Sequence, residues 1–289
     1  MTYSIIGRDP ANGELGIAVQ SKFPGVGSIV VHASAGAGAI ATQAFANPDH
    51  GQRGLELLER GASAEETLAI LLRGDDRREE RQLAVMAEQG RACAHTGAHV
   101  DAWDGWSGAA IGEDAVASGN TLAGEAVVTR MLEAFEAAPG ALASRLLCAL
   151  AAGRDAGGEL RGQQSAALLV VKPGGGYGGR DGRHVDVSIY DHVQPIDELA
   201  RCYELHRLSY FPSNEDDLVP IDEAIARELK AVLAASGFRP LPPGAIWDEA
   251  CIAAMARFMG VENYDNRIRD DARIDLEVLA DIRRRRAQR

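Results

Sequence analysis

Four short runs at the start of the chain, over 3–8, 15–21, 28–32 and 38–43, carry apolar, β-branched residues and are bounded by turn signals, a pattern that predicts strands. The sequence Asp9-Pro10-Ala11-Asn12-Gly13 between the first two is a turn signal, so they read as a hairpin. A helical pattern follows. A helix is predicted over 51–61, with Leu55, Leu57 and Leu58 inward. A second begins at Ser63 and Glu66, in capping-box spacing, and runs to about residue 73. Strands return over 82–87, 91–96, 107–111 and 115–118, helices over 125–137 and 141–156, and strands over 165–171 and 184–190. The last two flank a glycine-rich turn at 174–179.

Strands in blocks, not alternating with single helices, predict antiparallel sheets and argue against a doubly wound parallel fold. Two sheets and two helix pairs fit an α+β class and a four-layer αββα sandwich over 1–192. After residue 190 the pattern changes. Asp191-His192-Val193-Gln194-Pro195 reads as a linker, and helices are predicted over 197–210, 221–236, 245–260 and 275–287. Pro240, Pro242 and Pro243 mark a loop among them. Residues 193–289 thus form a small all-α domain.

Composition narrows the function classes. Forty-two acids against 30 bases give a net charge of −12, which argues against a nucleic-acid surface. Cys93, Cys148, Cys202 and Cys251 show no C-x-x-C or metal spacing, so reduced thiols are expected and no metal. His32, His95 and His192 come from separate segments with no ligand spacing between them, and structural roles are expected. No basic-then-apolar leader precedes the first strand, and no apolar run reaches the ~20 residues of a membrane span. A cytoplasmic protein without membrane contact is the expectation. Ala35-Gly36-Ala37-Gly38-Ala39 lacks the third glycine and downstream acid of a nucleotide loop, and reads as a tight turn.

The chemistry concentrates at Met1-Thr2. Threonine is small enough for removal of a preceding initiator methionine. Removal leaves a hydroxyl and an α-amine, of pKa ~8, on one residue at the start of a strand. That pair is a nucleophile with its own base and needs neither histidine nor cofactor. Retention of Met1 leaves Thr2 without a free amine.

Several stretches resemble one bacterial family. They are TYSIIGRDP, GELGIAVQSKFPGVG, GAGAIATQAFANPDHGQRGLELL, GNTLAG, GQQSAALLVV and PGGGYGGRDGRHVD, which span about residues 2–192. The family is domain of unknown function 1028, grouped with the N-terminal-nucleophile (Ntn) hydrolases. The resemblance implies an αββα fold and an amidohydrolase acting on an amide or peptide-like small substrate, with Thr2 as nucleophile. Carried over residue by residue, it assigns Lys22 to lowering the nucleophile's pKa, and Asn120 with Gln43 to the oxyanion. Asn47, Gly119, Ser165, Asp186 and Tyr177 are assigned to the cleft or to support of the amine. Gln20 stands where proteasome-like members carry an acid, a departure that also fits a catalytically inactive binding or assembly module. The stretches ELARCYELHRL, GAIWDEACIAAMARFMGVENYDNRI and IDLEVLADIR resemble a peptidoglycan-binding domain fused to this family. That implies a peptidoglycan fragment as partner. Trp247, Phe258 and Tyr264 either line a sugar groove or form the domain core. Arg283–286 reads as a solvated helix end. Ntn folds often pair through helix layers or sheet edges, so a homo-oligomer stays open.

Overall fold

The computed structural model describes residues 2–100, 104–238 and 241–287. Met1 and Pro240, on both of which the sequence placed expectations, lie outside the described residues. The chain divides into two compact units, residues 1–203 and 204–289.

The first unit is a mixed α/β assembly. One antiparallel sheet contains β1 (Thr2–Asp9), β2 (Glu14–Ser21), β7 (Trp106–Ile111), β8 (Ala115–Leu122), β9 (Ser165–Val171) and β10 (Arg183–Ile189), in the order β10-β9-β2-β1-β8-β7. A second antiparallel sheet has the order β3-β4-β5-β6, from β3 (Val31–Ser34), β4 (Gly38–Ala44), β5 (Arg81–Ala87) and β6 (Cys93–Thr96). Alternation sends Ile6, Ile17, Val19 and Leu169 of the first sheet into one buried cluster with Ala39, Ala41, Ala84 and Met86 of the second.

Helices α4 (Ala126–Ala137) and α5 (Leu142–Asp155) pack on strands of the six-stranded sheet. The cross-strand pair Gly7 and Gly16 lets them approach. A Cβ on Gly7 would lie 2.5 Å from the Phe135 ring, and one on Gly16 would lie 2.7 Å from Leu146. Helices α2 (Pro48–Glu59) and α3 (Ala64–Arg73) pack on strands of the four-stranded sheet through Leu58, Ala64, Ile40 and Val85. The capping box expected at Ser63 and Glu66 is present.

One expected strand is corrected. Residues 28–32 are not a single strand, because α1 (Gly27–Val30) precedes β3. Gly25 turns the chain at φ +62°, and Val26 takes helical φ/ψ, so its carbonyl accepts from the N–H groups of Ile29 and Val30. The expected strand at 115–118 runs on to Leu122 as β8 and so includes Gly119 and Asn120.

The linker expected at 191–195 leads into α6 (Pro195–Tyr210), and the division between units falls within that helix. The second unit contains α7 (Glu223–Ala235), α8 (Glu249–Val261) and α9 (Leu276–Ala287), with Asp222 and Asp248 capping the first two. A short antiparallel ribbon, β11 (Leu218–Pro220) with β12 (Arg273–Asp275), was not foreseen, so this unit is not purely helical. Phe258 and Tyr264 are buried in its core, with half-buried Trp247 packed against them. The terminal arginines are ion-paired, not simply solvated. Arg283 meets Glu228 at 2.8 Å, Arg285 meets Glu262 at 2.7 Å, and Arg284 meets the buried Asp281. Among the described residues no helix is long and apolar enough to cross a membrane.

Candidate functional site

Thr2 opens β1 between two register partners, Ser21 of β2 and Asn120 of β8. Its hydroxyl donates to the Ser21 hydroxyl at 3.1 Å. The residue is 5% exposed, and that sliver opens into a cleft of about 310 Å³. Phe23, Val26, Ile29 and Val30 line one side; Gln43, Ala44, Phe45 and Ala46 line the other, and Arg161 joins them. The strand ends around Thr2 are strained. Ala44 and Thr121, neither a glycine, hold φ of +66° and +58°. Such backbone persists only where the surroundings enforce it, and it clusters at functional sites.

Beside Thr2, between the sheets, runs a buried polar network. Gln82 is its hub. Its Oε1 accepts from Gln43 Nε2 at 2.7 Å and from Asn120 Nδ2 at 2.8 Å. Its Nε2 donates to Thr96 Oγ1 and to the Gly119 carbonyl, at 2.9 and 2.8 Å. Gln43 Nε2 also donates to Ser118 Oγ at 3.2 Å, and Gln43 Oε1 accepts from Ser4 Oγ at 2.9 Å. Both amide protons of Gln43 are therefore already engaged. Its position fixes the network; a second task as oxyanion donor would break one of these bonds. Asn120 commits one amide proton to Gln82.

A second cluster steadies the cleft wall at Phe45. Arg81 donates to the Phe45 carbonyl at 2.5 Å and to Asp75 Oδ2 at 2.7 Å, and His50 lies 3.2 Å from the same carboxylate. The Arg77 guanidinium stacks 4.1 Å from the centre of the Phe45 ring. Hydrogen bonding to Arg81 holds the Asp75 carboxyl below its usual range. Burial pushes the His50 imidazole down, against the pull of Asp75. On the opposite wall, Ser165 accepts from the Val26 N–H at 3.1 Å and donates to the Phe23 carbonyl at 2.5 Å. It ties the 23–26 loop to the sheet.

The other expected site residues fall elsewhere. Lys22 is exposed, its Nζ donating to the Gln163 carbonyl at 3.2 Å, and it does not line the cleft. The cation that does is Arg161, which pairs at 2.5 Å with Glu159, itself bonded to the Lys22 N–H. Nothing in the local pattern around Glu159-Leu160-Arg161 singled it out. Gln20 pairs in register with Tyr3 and so faces away from the Thr2 hydroxyl, with its Nε2 3.4 Å from the Gly162 carbonyl. Asn47 caps α2, accepting from the Asp49 N–H. Gly119 packs against Leu122 and the Thr2 carbonyl. Asp186 is ion-paired with Arg183 at 2.6 Å on the surface, and Tyr177 is 81% exposed; neither lines the cleft. His32 bonds the Ile29 carbonyl beneath Gly51, His95 bonds the Arg78 carbonyl, and His192 accepts from the Gln194 N–H. No group of three or more metal-ligating side chains occurs among the described residues.

The chain belongs to the family of unknown function DUF1028, whose model matches residues 2–199. Residues 210–281 match the model named "Putative peptidoglycan binding domain". The crystal structure of protein SPO2555 from Silicibacter pomeroyi, of the same DUF1028 family, is similar at 31% identity and a TM-score of 0.65. That match covers 73% of this chain and 91% of that one. Anbu, an ancestral β-subunit from Yersinia bercovieri, aligns at 14% identity and a TM-score of 0.33, over 72% of this chain and 96% of that one, too low to argue from. No curated protein matches the chain.

Proposed function

We propose that the first unit is a four-layer αββα hydrolase of the Ntn type, and that Thr2 becomes its nucleophile when Met1 is removed. The observation that carries this reading is the Thr2 hydroxyl at the base of the cleft, hydrogen-bonded to Ser21 at 3.1 Å. The freed α-amine takes the hydroxyl proton as Oγ1 attacks the carbonyl of an amide or peptide-like substrate. Asn120, through its second amide proton, and backbone N–H groups of the strained strand ends steady the oxyanion; one good donor contributes about 3–4 kcal/mol. The C–N bond breaks, and the amine leaves with the proton. Water then cleaves the ester, and its proton returns to Oγ1. The second unit supplies recognition of a peptidoglycan fragment, in line with its family match.

Intact mass and labelling with a threonine-directed β-lactone test this together. The expected result is a mature chain beginning at Thr2 that gains one adduct, which Thr2→Ala loses. Full retention of Met1 with no adduct sinks the mechanism. A second reading is favoured by one observation, the engagement of both Gln43 amide protons inside the network. In it the cleft binds without catalysis, and the lactone leaves no adduct on a chain whose Thr2 amine is free.

A further inference from the structure

The walls of the Thr2 cleft bring several apolar side chains together at the surface. Phe23, just past the end of β2, is 50% exposed, and Phe45, just past β4, is 56% exposed. They come from different sheets and both line the cleft. Val26, Ile29 and Val30 line it too, from the 23–26 loop and α1. The single charged side chain in this lining, Arg161, is balanced by the wholly buried carboxylate of Glu159. The lining is therefore close to neutral. The backbone of both phenylalanines is held: Ser165 grips the Phe23 carbonyl and Arg81 the Phe45 carbonyl, and Arg77 also stacks on the Phe45 ring. A wall preorganised in this way strengthens binding by lowering the ordering cost.

We infer that this cleft is an acyl pocket, and that the substrate is an amide of a neutral, apolar carboxylic acid. The inference rests on the Thr2 reading for the direction in which the amide lies. With the carbonyl carbon at Oγ1, the acyl chain occupies the space between Phe23, Ile29 and Phe45, and the amine portion points outward. A volume of about 310 Å³ is about twice that of an engineered cavity of about 150 Å³ that binds benzene, so it admits on the order of ten non-hydrogen atoms. That is an unbranched acyl chain of about eight carbons or a single aromatic ring with a short stem. Phe45 and Phe23 then set specificity through chain length, and the nucleophile is indifferent to it.

The test uses the full chain, the p-nitroanilides of unbranched acids from acetyl to octanoyl, and the sodium salts of the same acids. Hydrolysis is expected to rise roughly threefold per methylene as apolar surface is buried, and to level off near eight carbons. Sodium octanoate is expected to bind where acetate does not, shifting the amide resonances of residues 23–30 and 44–46. Phe45→Ala and Phe23→Ala, at exposed positions that do not threaten folding, each flatten the chain-length dependence. Ile29→Trp narrows the pocket and moves the optimum to shorter chains. If octanoate binds no better than acetate and hydrolysis ignores chain length, the acyl pocket is wrong, whatever the lactone shows at Thr2. If octanoate binds in a Phe45-dependent way but no anilide is cleaved and Thr2 takes no label, the pocket stands and the hydrolase reading falls.

Discussion

Replacing Gln82 with leucine removes the hub between the two sheets and leaves side-chain volume almost unchanged. Five hydrogen bonds end on this side chain, at 2.7, 2.8, 2.8, 2.9 and 3.3 Å. Gln43 retains Ser118, and Thr96 is half-buried and reaches water. Asn120 Nδ2 and the Gly119 carbonyl lose their side-chain partner in an enclosed setting. Each buried group left unpaired costs about 1–3 kcal/mol, so two cost about 4 kcal/mol at mid-range, and leucine burial returns about 1–2 kcal/mol. The net loss is about 2–3 kcal/mol. Because the chain has two compact units, a single melting curve does not isolate this term. Hydrogen exchange of peptides from β5 and β8 does. Their slowest amides should exchange roughly 30- to 150-fold faster in Gln82→Leu, while α7 and α8 keep their protection. Gln82→Leu combined with Gln43→Leu should cost less than the sum of the two singly, since both changes remove the same Gln43–Gln82 bond. Exchange within about threefold of the parent in β5 and β8 refutes the claim that this network is worth several kcal/mol.

Four further outcomes are expected. Gly97→Ala sets a Cβ 2.4 Å from the backbone of Glu79, which cannot swing aside; a loss of about 1–3 kcal/mol or more should appear as a lower midpoint in urea. Arg267→Met removes the partner of the buried Asp275 at 2.8 Å, and at about 3–5 kcal/mol the second unit should lose its exchange protection while the first keeps it. Ser165→Ala frees the Val26 N–H and Phe23 carbonyl; proteolysis at 23–27 should accelerate, with the sheet unaffected. Burial lowers the imidazoles of both His32 and His50. A histidine with a lowered folded pKa keeps its contribution above its unfolded value near 6.5 and loses it as pH falls through that value. Stability of the first unit should therefore fall between pH 7 and pH 5, and His32→Asn should flatten the slope. Asp75, whose folded pKa is also depressed, holds its contribution until far lower pH and does not add to this slope.

The order of elements was legible because each carries its own period and its own stop signals. Ser63 and Glu66 cap α3 as their spacing predicts, and the apolar run of β9 lies at 165–171 as expected. The helix at 27–30 was not legible. Ser28-Ile29-Val30-Val31-His32 has strand composition, and only the tethering of Val26 by the distant Ser165 bends it into a helical turn. Thr2 was singled out by its place after Met1 and Asn120 through the family resemblance, and β8 brings the two into register. Gln82 and Arg161 were not found. A glutamine in an apolar strand reads as an interruption until its partners on four other strands are known. Arg161 enters the cleft from a loop whose path is set by the pairing of Leu122 with Glu159, 37 residues apart in the chain. Long-range register carries that information, and local pattern does not.

The division of the chain inside α6 bears on how such a protein is cut or assembled. Ile196, Leu199 and Tyr203, on the first half of the helix, are buried and count with the first unit, whereas Leu208, near its end, belongs to the core of the second. The two family matches end and begin at residues 199 and 210, on either side of the same stretch. A shortened chain ending at 192, where composition changes, loses three buried apolar side chains. One ending near 210 retains them at the cost of a protruding helical end.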